Sequence, residues 1–312
     1  MTFADRKRRA DTAKILEDMD KLEAAFLSDA QKLNKKRQEQ LLKRVSRLLT
    51  PLQEAHAKND SKGVESLLAE LRMPSSKEWK KTLKRLIKSS AESGVLRAHV
   101  ELLKLRELYA FSDDINVVSE AGDYKVVFPP EAMKFIDNYA YEIGVITEAT
   151  VIERIKEHLR VGLKEGLTTK ELTDHIQKVT ATWLSRNHAE TIARVETSKM
   201  YNAGRLARWL DPDTNGFVEA LQYDSIVDRR TTPMCKSLDG MVVAVSNKSM
   251  IDQFTPPNHY NCRATWLPIT KFEEWEDNFK PTEKPDKEFD SKHNHARKLL
   301  EGKKSPLVQE NE

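Results

Sequence analysis

The sequence predicts a mainly α chain: an elongated N-terminal helical region, then helices plus a small antiparallel sheet that together make an α+β module. Three observations lead there. Glycine is scarce, 10 of 312 residues, while charged residues reach 32% against 39% hydrophobic. Such a composition offers little core per residue and suits long helices with solvated faces. Apolar residues recur at spacings of three and four through most of the chain up to Leu210, the period of a helix with one buried face. Beyond that point the pattern changes to short β-branched or alternating runs, punctuated by Asp239-Gly240 and Pro256-Pro257, which reads as strands and turns.

Taken in order, residues 3–34 read as a helix, with Ile15, Leu16, Met19, Leu22, Phe26 and Leu27 at helical spacing. A second helix is expected over about 36–58 on Leu41, Leu42, Val45, Leu48 and Leu49. Pro51 is expected to kink or end it, because the residue before a proline avoids helical geometry. A short helix follows at 61–72. Ser75 and Glu78 are spaced as a capping box that opens a long helix to about Ala110. Residues 112–129 break the pattern and are expected as a linker with a short strand at Tyr124–Phe128, closed by Pro129-Pro130. Helices are expected at about 130–143, 148–163 and 169–180, the last opened by a Thr168/Glu171 capping box after Gly166. Leu184 to Leu210 is a further long helix. Phe217–Tyr223, Met241–Val245 and Ala264–Ile269 are the expected strands. After Lys271 a short helix at Phe272–Phe279 gives way to a Pro/Lys/Glu/Asp mixture, the composition of a flexible tail. The expected division is therefore a basic helical region at 1–111, a linker at 112–129, an α+β domain at 130–270 and a polar tail at 271–312.

The formal net charge of +3 by itself predicts no polyanion partner; the distribution matters more. Residues 28–50 hold Lys32, Lys35, Lys36, Arg37, Lys43, Arg44 and Arg47 against only Asp29 and Glu39. Residues 72–106 hold ten basic residues, Lys77, Lys80, Lys81, Lys84, Arg85 and Lys88 among them, against three glutamates. One reading is a solvated helix face; the other is a surface for phosphates or for an acidic protein partner. Aromatic residues that would stack on bases are scarce there, which disfavours single strands. Double-stranded DNA held through its backbone is the nucleic-acid partner to expect. No run of 18 apolar residues and no basic-then-apolar leader occurs, so no membrane partner is expected, and the two cysteines are expected to stay reduced in a cytosol.

Chemistry-bearing residues concentrate in Asp228–Pro268. Cys235, His259 and Cys262 offer sulfur, nitrogen and sulfur, a set that zinc prefers. A structural zinc site wants four ligands, and the fourth would be Asp228, Asp239 or water. The bland alternative is a packed pair of free thiols. A second alternative makes Cys235 or Cys262 a nucleophile with His259 as base, although no orienting acid is evident. Between the turns, Arg229, Arg230 and Arg263 are placed to bond carboxylates or carbonyls and clamp the loops. Upstream, Arg194, Glu196, Thr197 and Asn202 are polar residues set among Ile192, Val195, Tyr201 and Leu206. Arg194, Thr197 and Ser198 lie within one helical turn and can converge on a neighbouring loop.

Three motifs follow one another here: Arg194-x-Glu196-Thr197 with Asn202-Ala203-Gly204; Asp228-x-Arg230-Thr231-x-x-x-Cys235-x-x-Leu238-Asp239-Gly240; and Pro256-Pro257-x-His259-x-Asn261-Cys262-Arg263. In this order, over about residues 150–268, they resemble the head morphogenesis family of tailed bacteriophages, the Mu F-like minor head proteins. The resemblance implies a minor capsid protein present in few copies. It would associate with the portal protein at the genome-entry vertex, with scaffolding or major capsid protein as further partners. It would reside inside the virion head, and in the host cytoplasm during assembly, supporting head assembly and remaining with packaged DNA until ejection. No catalytic activity and no cofactor are implied. Many relatives carry Cys-x-x-Cys at the first loop and Cys-Arg-Cys at the second; here Thr232 and Ala264 stand at the extra positions. Two other functional classes compete: a Cys/His-dependent enzyme, nuclease or transferase, and a helical scaffold that binds only proteins.

Overall fold

The computed structural model describes residues 3–109, 121–214, 216–289 and 295–311, with backbone only for 3–11 and 121. In chain order the elements are α1 (Phe3–Ala57), α2 (Ser61–Ala69), α3 (Ser76–Tyr109), β1 (Tyr124–Val126), α4 (Pro130–Lys164), α5 (Thr169–Trp183), α6 (Arg186–Trp209), β2 (Val218–Ser225), α7 (Pro233–Leu238), β3 (Val242–Ala244), α8 (Lys248–Phe254), β4 (Ala264–Thr270), α9 (His295–Leu300) and β5 (Val308–Glu310). The protein is mainly α with a small antiparallel sheet, as the composition and spacing predict, and a second, two-stranded sheet that they do not. It falls into two compact units. One comprises 1–23, 86–137 and 193–312, and the other 24–85 and 138–192.

The 24–85/138–192 unit is wholly helical. Its core joins Leu41, Val45, Leu49 and Leu52 of α1 to Leu68 of α2, to Ile155, Leu159 and Leu163 of α4 and to Leu172 and Ile176 of α5. Thr168 caps α5 through the predicted box: its hydroxyl accepts from the Glu171 N–H and the Glu171 carboxylate accepts from the Thr168 N–H. Arg37, on the inner face of α1, is 2% exposed. Its Nη2 donates to Glu148 of α4 at 2.6 Å and its Nε to the Pro74 carbonyl at 3.2 Å, while the guanidinium lies over the Trp79 ring at 4.9 Å. Burial pushes the Arg37 guanidinium down to about 10.

The other unit carries the sheets. The three-stranded one has the order β3-β2-β4, all antiparallel, with Leu221 opposite Val243 on one side and Pro268 on the other. Every residue of β4 is buried. Ile15 and Met19 of α1 pack with Tyr201 of α6 and Leu267 of β4. α3 and α6 meet through two glycines. A Cβ on Gly94 would stand 2.1 Å from the Tyr201 carbonyl oxygen, and one on Gly204 would stand 2.2 Å from that of Ala91. Only glycine allows this backbone-to-backbone approach. Next to Gly204, Arg205 is fully buried. It donates Nη2 to both carboxylate oxygens of Glu101 at 3.0 Å and Nη1 to the Trp266 carbonyl at 2.8 Å, with Thr265 Oγ1 also bound. Asp18 of α1 accepts from Arg97 Nη2 at 2.6 Å and from the Tyr201 hydroxyl at 2.8 Å.

Several local expectations give way to different structure. Pro51 does not end α1. It is exposed, whereas Leu49 and Leu52 on either side are buried, so the apolar stripe carries the helix past the single missing N–H. Residues 130–164 form one helix instead of two, and within it Gly144 packs on the Lys80 side chain, where a Cβ would stand 2.6 Å from its Cγ. Ser75 does not pair with Glu78 as a capping box; it takes φ 51° and its hydroxyl donates to Gln40. Residues 272–279 are not helical. They run beside β3, where the Asn278 N–H donates to the Val242 carbonyl and Val242 donates to Asn278 Oδ1.

The stretch after Lys271, expected as a polar tail, holds widely spaced apolar anchors. Phe279 inserts among Tyr223, Phe254 and Trp266, Leu299 and Leu307 are buried, and β5 pairs with β1 so that Lys125 faces Gln309. The short strand expected near Tyr124 is β1. The remainder of the expected linker, 112–120, lies outside the described residues.

Two expectations follow. Glu101→Ala leaves a guanidinium buried without its carboxylate and should lower unfolding free energy by ~3–5 kcal/mol. Urea denaturation at neutral pH measures it, and a loss below ~1 kcal/mol would contradict the packing. The second concerns His99, whose Nδ1 accepts from Arg208 Nε at 3.3 Å and whose ring meets Tyr124 edge-on. Burial, with the Arg208 and Arg106 charges adding to it, pushes His99 from 6.5 to about 4. Between those values the unfolded chain binds the proton and the folded chain does not, so stability falls as pH falls through that window. His99→Gln should flatten the urea midpoint between pH 6.5 and 4, by ~1–2 kcal/mol after solvent screening of a partly buried ring.

Candidate functional site

The site is built from the loops around β2 and β4. Pro233 stands at the first turn of α7, where its missing N–H costs nothing, and Thr232 caps that helix by accepting from the Cys235 N–H at 3.3 Å. α7 thereby fixes Cys235, which is 2% exposed. The second loop enters through the cis Pro256-Pro257 bond. Asn258, fully buried, donates to the Phe254 carbonyl at 3.1 Å and to the Tyr223 hydroxyl at 2.8 Å. Asn261 takes φ 58° and turns the chain back, so that Cys262 leads into β4.

These elements bring the three predicted residues to one point. Cys235 Sγ lies 3.1 Å from His259 Nε2 and 3.9 Å from Cys262 Sγ, and all three ligand atoms fall within 4.8 Å of one another. His259 Nδ1 faces the Tyr260 carbonyl at 2.9 Å, and Thr232 Oγ1 stands 3.1 Å from Nε2. The Tyr223 hydroxyl is 3.5 Å from Cys235 Sγ. The Cys262 thiol, donating to Cys235, and the neighbouring imidazole hold the Cys235 sulfur well below the usual thiol range. Giving that hydrogen bond, together with burial, pushes the Cys262 thiol up. The Cys235 thiolate in turn raises His259.

The two acids considered as a fourth ligand are engaged elsewhere. Asp228 receives Arg263 through two bonds, 2.9 and 2.6 Å, and the Arg230 N–H at 2.7 Å; the Arg263 bonds hold its carboxyl well below the usual range. Asp239 Oδ1 accepts from the Ser225 N–H at 2.8 Å. Gly240, at φ 82°, makes the turn into β3. Arg194 Nη1 donates to Asn261 Oδ1 at 3.2 Å and its Nε lies 3.6 Å from Glu23. Glu196 is buried, 3.5 Å from Lys199 Nζ, and Thr197 is fully buried. The Asn202 side chain donates to the Ser198 carbonyl and accepts from Thr265 Oγ1 at 2.7 Å. The motif residues therefore tie α6 to β4 and to the Cys/His loops. Tyr223, Asn258, Arg205 and Glu101 were not singled out by sequence. Tyr223 and Arg205 do lie on strand and helix faces whose neighbours are apolar.

The predicted basic residues divide. Arg37 is buried against Glu148 and is not a surface contact. Arg85 pairs with Asp29 at 2.7 Å, Lys88 with Glu92 at 2.6 Å, and the Lys80 ammonium lies 4.0 Å over the Tyr141 ring. Lys84 is half-buried, while Lys32, Lys35 and Lys81 are exposed. Lys36, Lys43, Arg44 and Arg47 of α1 line one open groove with Ser75, Ser76 and Lys77 at the start of α3. Among the described residues no helix is long and apolar enough to cross a membrane.

Comparison with known proteins places this arrangement. No curated protein and no solved structure matches the chain. Residues 153–267, which hold α5, α6, β2, β3, the first half of β4 and all three motif blocks, match the family model described as phage Mu protein F like protein. Over that span, a little over a third of its length, the chain is similar to the Mu F-like proteins, which supports the resemblance to the head morphogenesis family.

Proposed function

We propose that this chain is a head morphogenesis protein, a minor capsid component that docks at the portal vertex and holds packaged DNA through the 24–85/138–192 unit. The observation that carries the DNA reading is the groove lined by Lys36, Lys43, Arg44, Arg47 and Lys77. Positions 36, 40, 43, 44 and 47 share one face of a helix, and Ser75, Ser76, Lys77 and Glu78 at the start of α3 line the same groove. Cations beside a helix start suit a phosphate backbone and carry no base readout. The family match supports a place in the phage head, and the portal is the vertex through which DNA passes. A role in ejection follows from staying with that DNA. The cavity beside the thiols, about 10 Å³, has room for about one water, which favours the non-catalytic reading over a nuclease or transferase.

Backbone contact makes binding steeply dependent on salt. With four or five phosphates engaged, affinity for duplex DNA of any sequence should fall ~10²–10³-fold between roughly 50 and 200 mM salt. Lys36→Gln/Lys43→Gln/Arg47→Gln should weaken it and reduce the salt slope by about three. Fluorescence anisotropy with a labelled duplex reads both. Unchanged affinity in the triple variant would place DNA elsewhere, and no binding at low salt would leave a protein-only role. That role is read separately by co-purification with a co-expressed portal ring.

A further inference from the structure

We infer that Cys235, His259 and Cys262 form a zinc site with three protein ligands and one water. Zinc–sulfur bonds of ~2.3 Å and a zinc–nitrogen bond of ~2.0–2.1 Å at tetrahedral angles require about 3.8 Å between sulfurs and about 3.6 Å from sulfur to nitrogen. The chain sets Cys235 Sγ 3.9 Å from Cys262 Sγ and 3.1 Å from His259 Nε2. The third edge, from Cys262 to His259, is within 4.8 Å, so an ion among them needs side-chain shifts of up to about an ångström, within the play of side-chain rotamers.

The surroundings are those of a metal-binding trio. His259 Nδ1–H donates to the Tyr260 carbonyl at 2.9 Å, which leaves the Nε2 lone pair turned toward both sulfurs. Such a bond to the far ring nitrogen is what orients imidazole ligands. Tyr223 accepts from Asn258 and donates its O–H toward Cys235 Sγ, a buried donor suited to a thiolate. Two thiolates and a divalent cation sum to zero, which suits sulfurs buried to this degree. An ion needs both sulfurs as thiolates and the Nε2 lone pair free, so loading releases to solvent whatever protons those atoms hold. Asp228 and Asp239 are held by Arg263 and Ser225 and do not reach the ion. The fourth position falls to water in the 10 Å³ cavity, beside Thr231, Thr232 and Asn261. That cavity admits one water and no substrate, so the metal ties α7 to the β4 entry loop and is structural.

The test uses the full chain, apo after chelation, titrated with Co²⁺ and then Zn²⁺. Cobalt should give visible bands of tetrahedral sulfur–nitrogen coordination at one ion per chain. Loading should release protons in weakly buffered solution, and zinc should displace cobalt and raise Tm. Cys262→Ser and His259→Ala should abolish the cobalt bands. Should those variants fail to fold, Thr232→Cys keeps the question open to experiment. Oγ1 of Thr232 stands 3.1 Å from Nε2, so a sulfur there fills the water position and should tighten zinc at least tenfold and shift the cobalt spectrum. No stoichiometric binding by the unaltered chain, or cobalt bands unchanged in Cys262→Ser, would overturn the assignment.

Discussion

The Arg205 guanidinium lies entirely out of water, and a bare charge in that position would cost several kcal/mol. Glu101 answers it with both carboxylate oxygens, Trp266 with a carbonyl and the Trp209 ring with its face at 4.6 Å. Each partner sits on a different stretch of chain, so the charge is satisfied only when α3, α6 and β4 are all in register. Gly94 and Gly204 remove the side chains that would hold α3 and α6 apart. The one-residue step from Gly204 to Arg205 therefore joins a steric condition to an electrostatic one.

That register sets the Cys/His loops. Asn202 and Arg205 both grip Thr265, and Arg194, about two turns earlier on α6, grips Asn261. Asp228 and Arg263 close the loops on the far side. Motif residues far apart in sequence thus form one frame, in which most polar groups are spent on holding loops and few remain for solvent. A site framed this way changes little on binding and suits a rigid structural landmark better than a substrate cleft.

Most of the long helical stretches, though not all their bounds, the three-stranded sheet and the convergence of Cys235, His259 and Cys262 were legible in the sequence. Periodicity, turn residues and motif order act locally and survive folding. Two things were not legible. The first is which arginines go inside. Arg37 sits in a run of exposed basic residues, and Arg205 follows glycine in a polar-looking motif. Burial is decided by a carboxylate on another helix, Glu148 or Glu101, more than a hundred residues away in each case. The spacing of Arg37 with Asn34 and Leu41 on the inner face was the only local sign. The second is the fate of sparse apolar residues after Lys271. Phe279, Leu299 and Leu307 are too far apart to show a period, yet each fills a gap left by earlier elements. Composition averages over a window and cannot register single anchors.

The unit that holds the Cys/His loops is assembled from residues 1–23, 86–137 and 193–312. Thr12 bonds Asp224, and β1 waits for β5. On a ribosome adding ~5–20 residues per second, the first of these segments emerges long before its partners exist. The 24–85/138–192 unit is complete once residue 192 has emerged, so it can form while translation continues. The other unit must wait for the last strand. The order in which the two surfaces become available is thereby written into the threading of the chain: the basic groove first, the framed loops last.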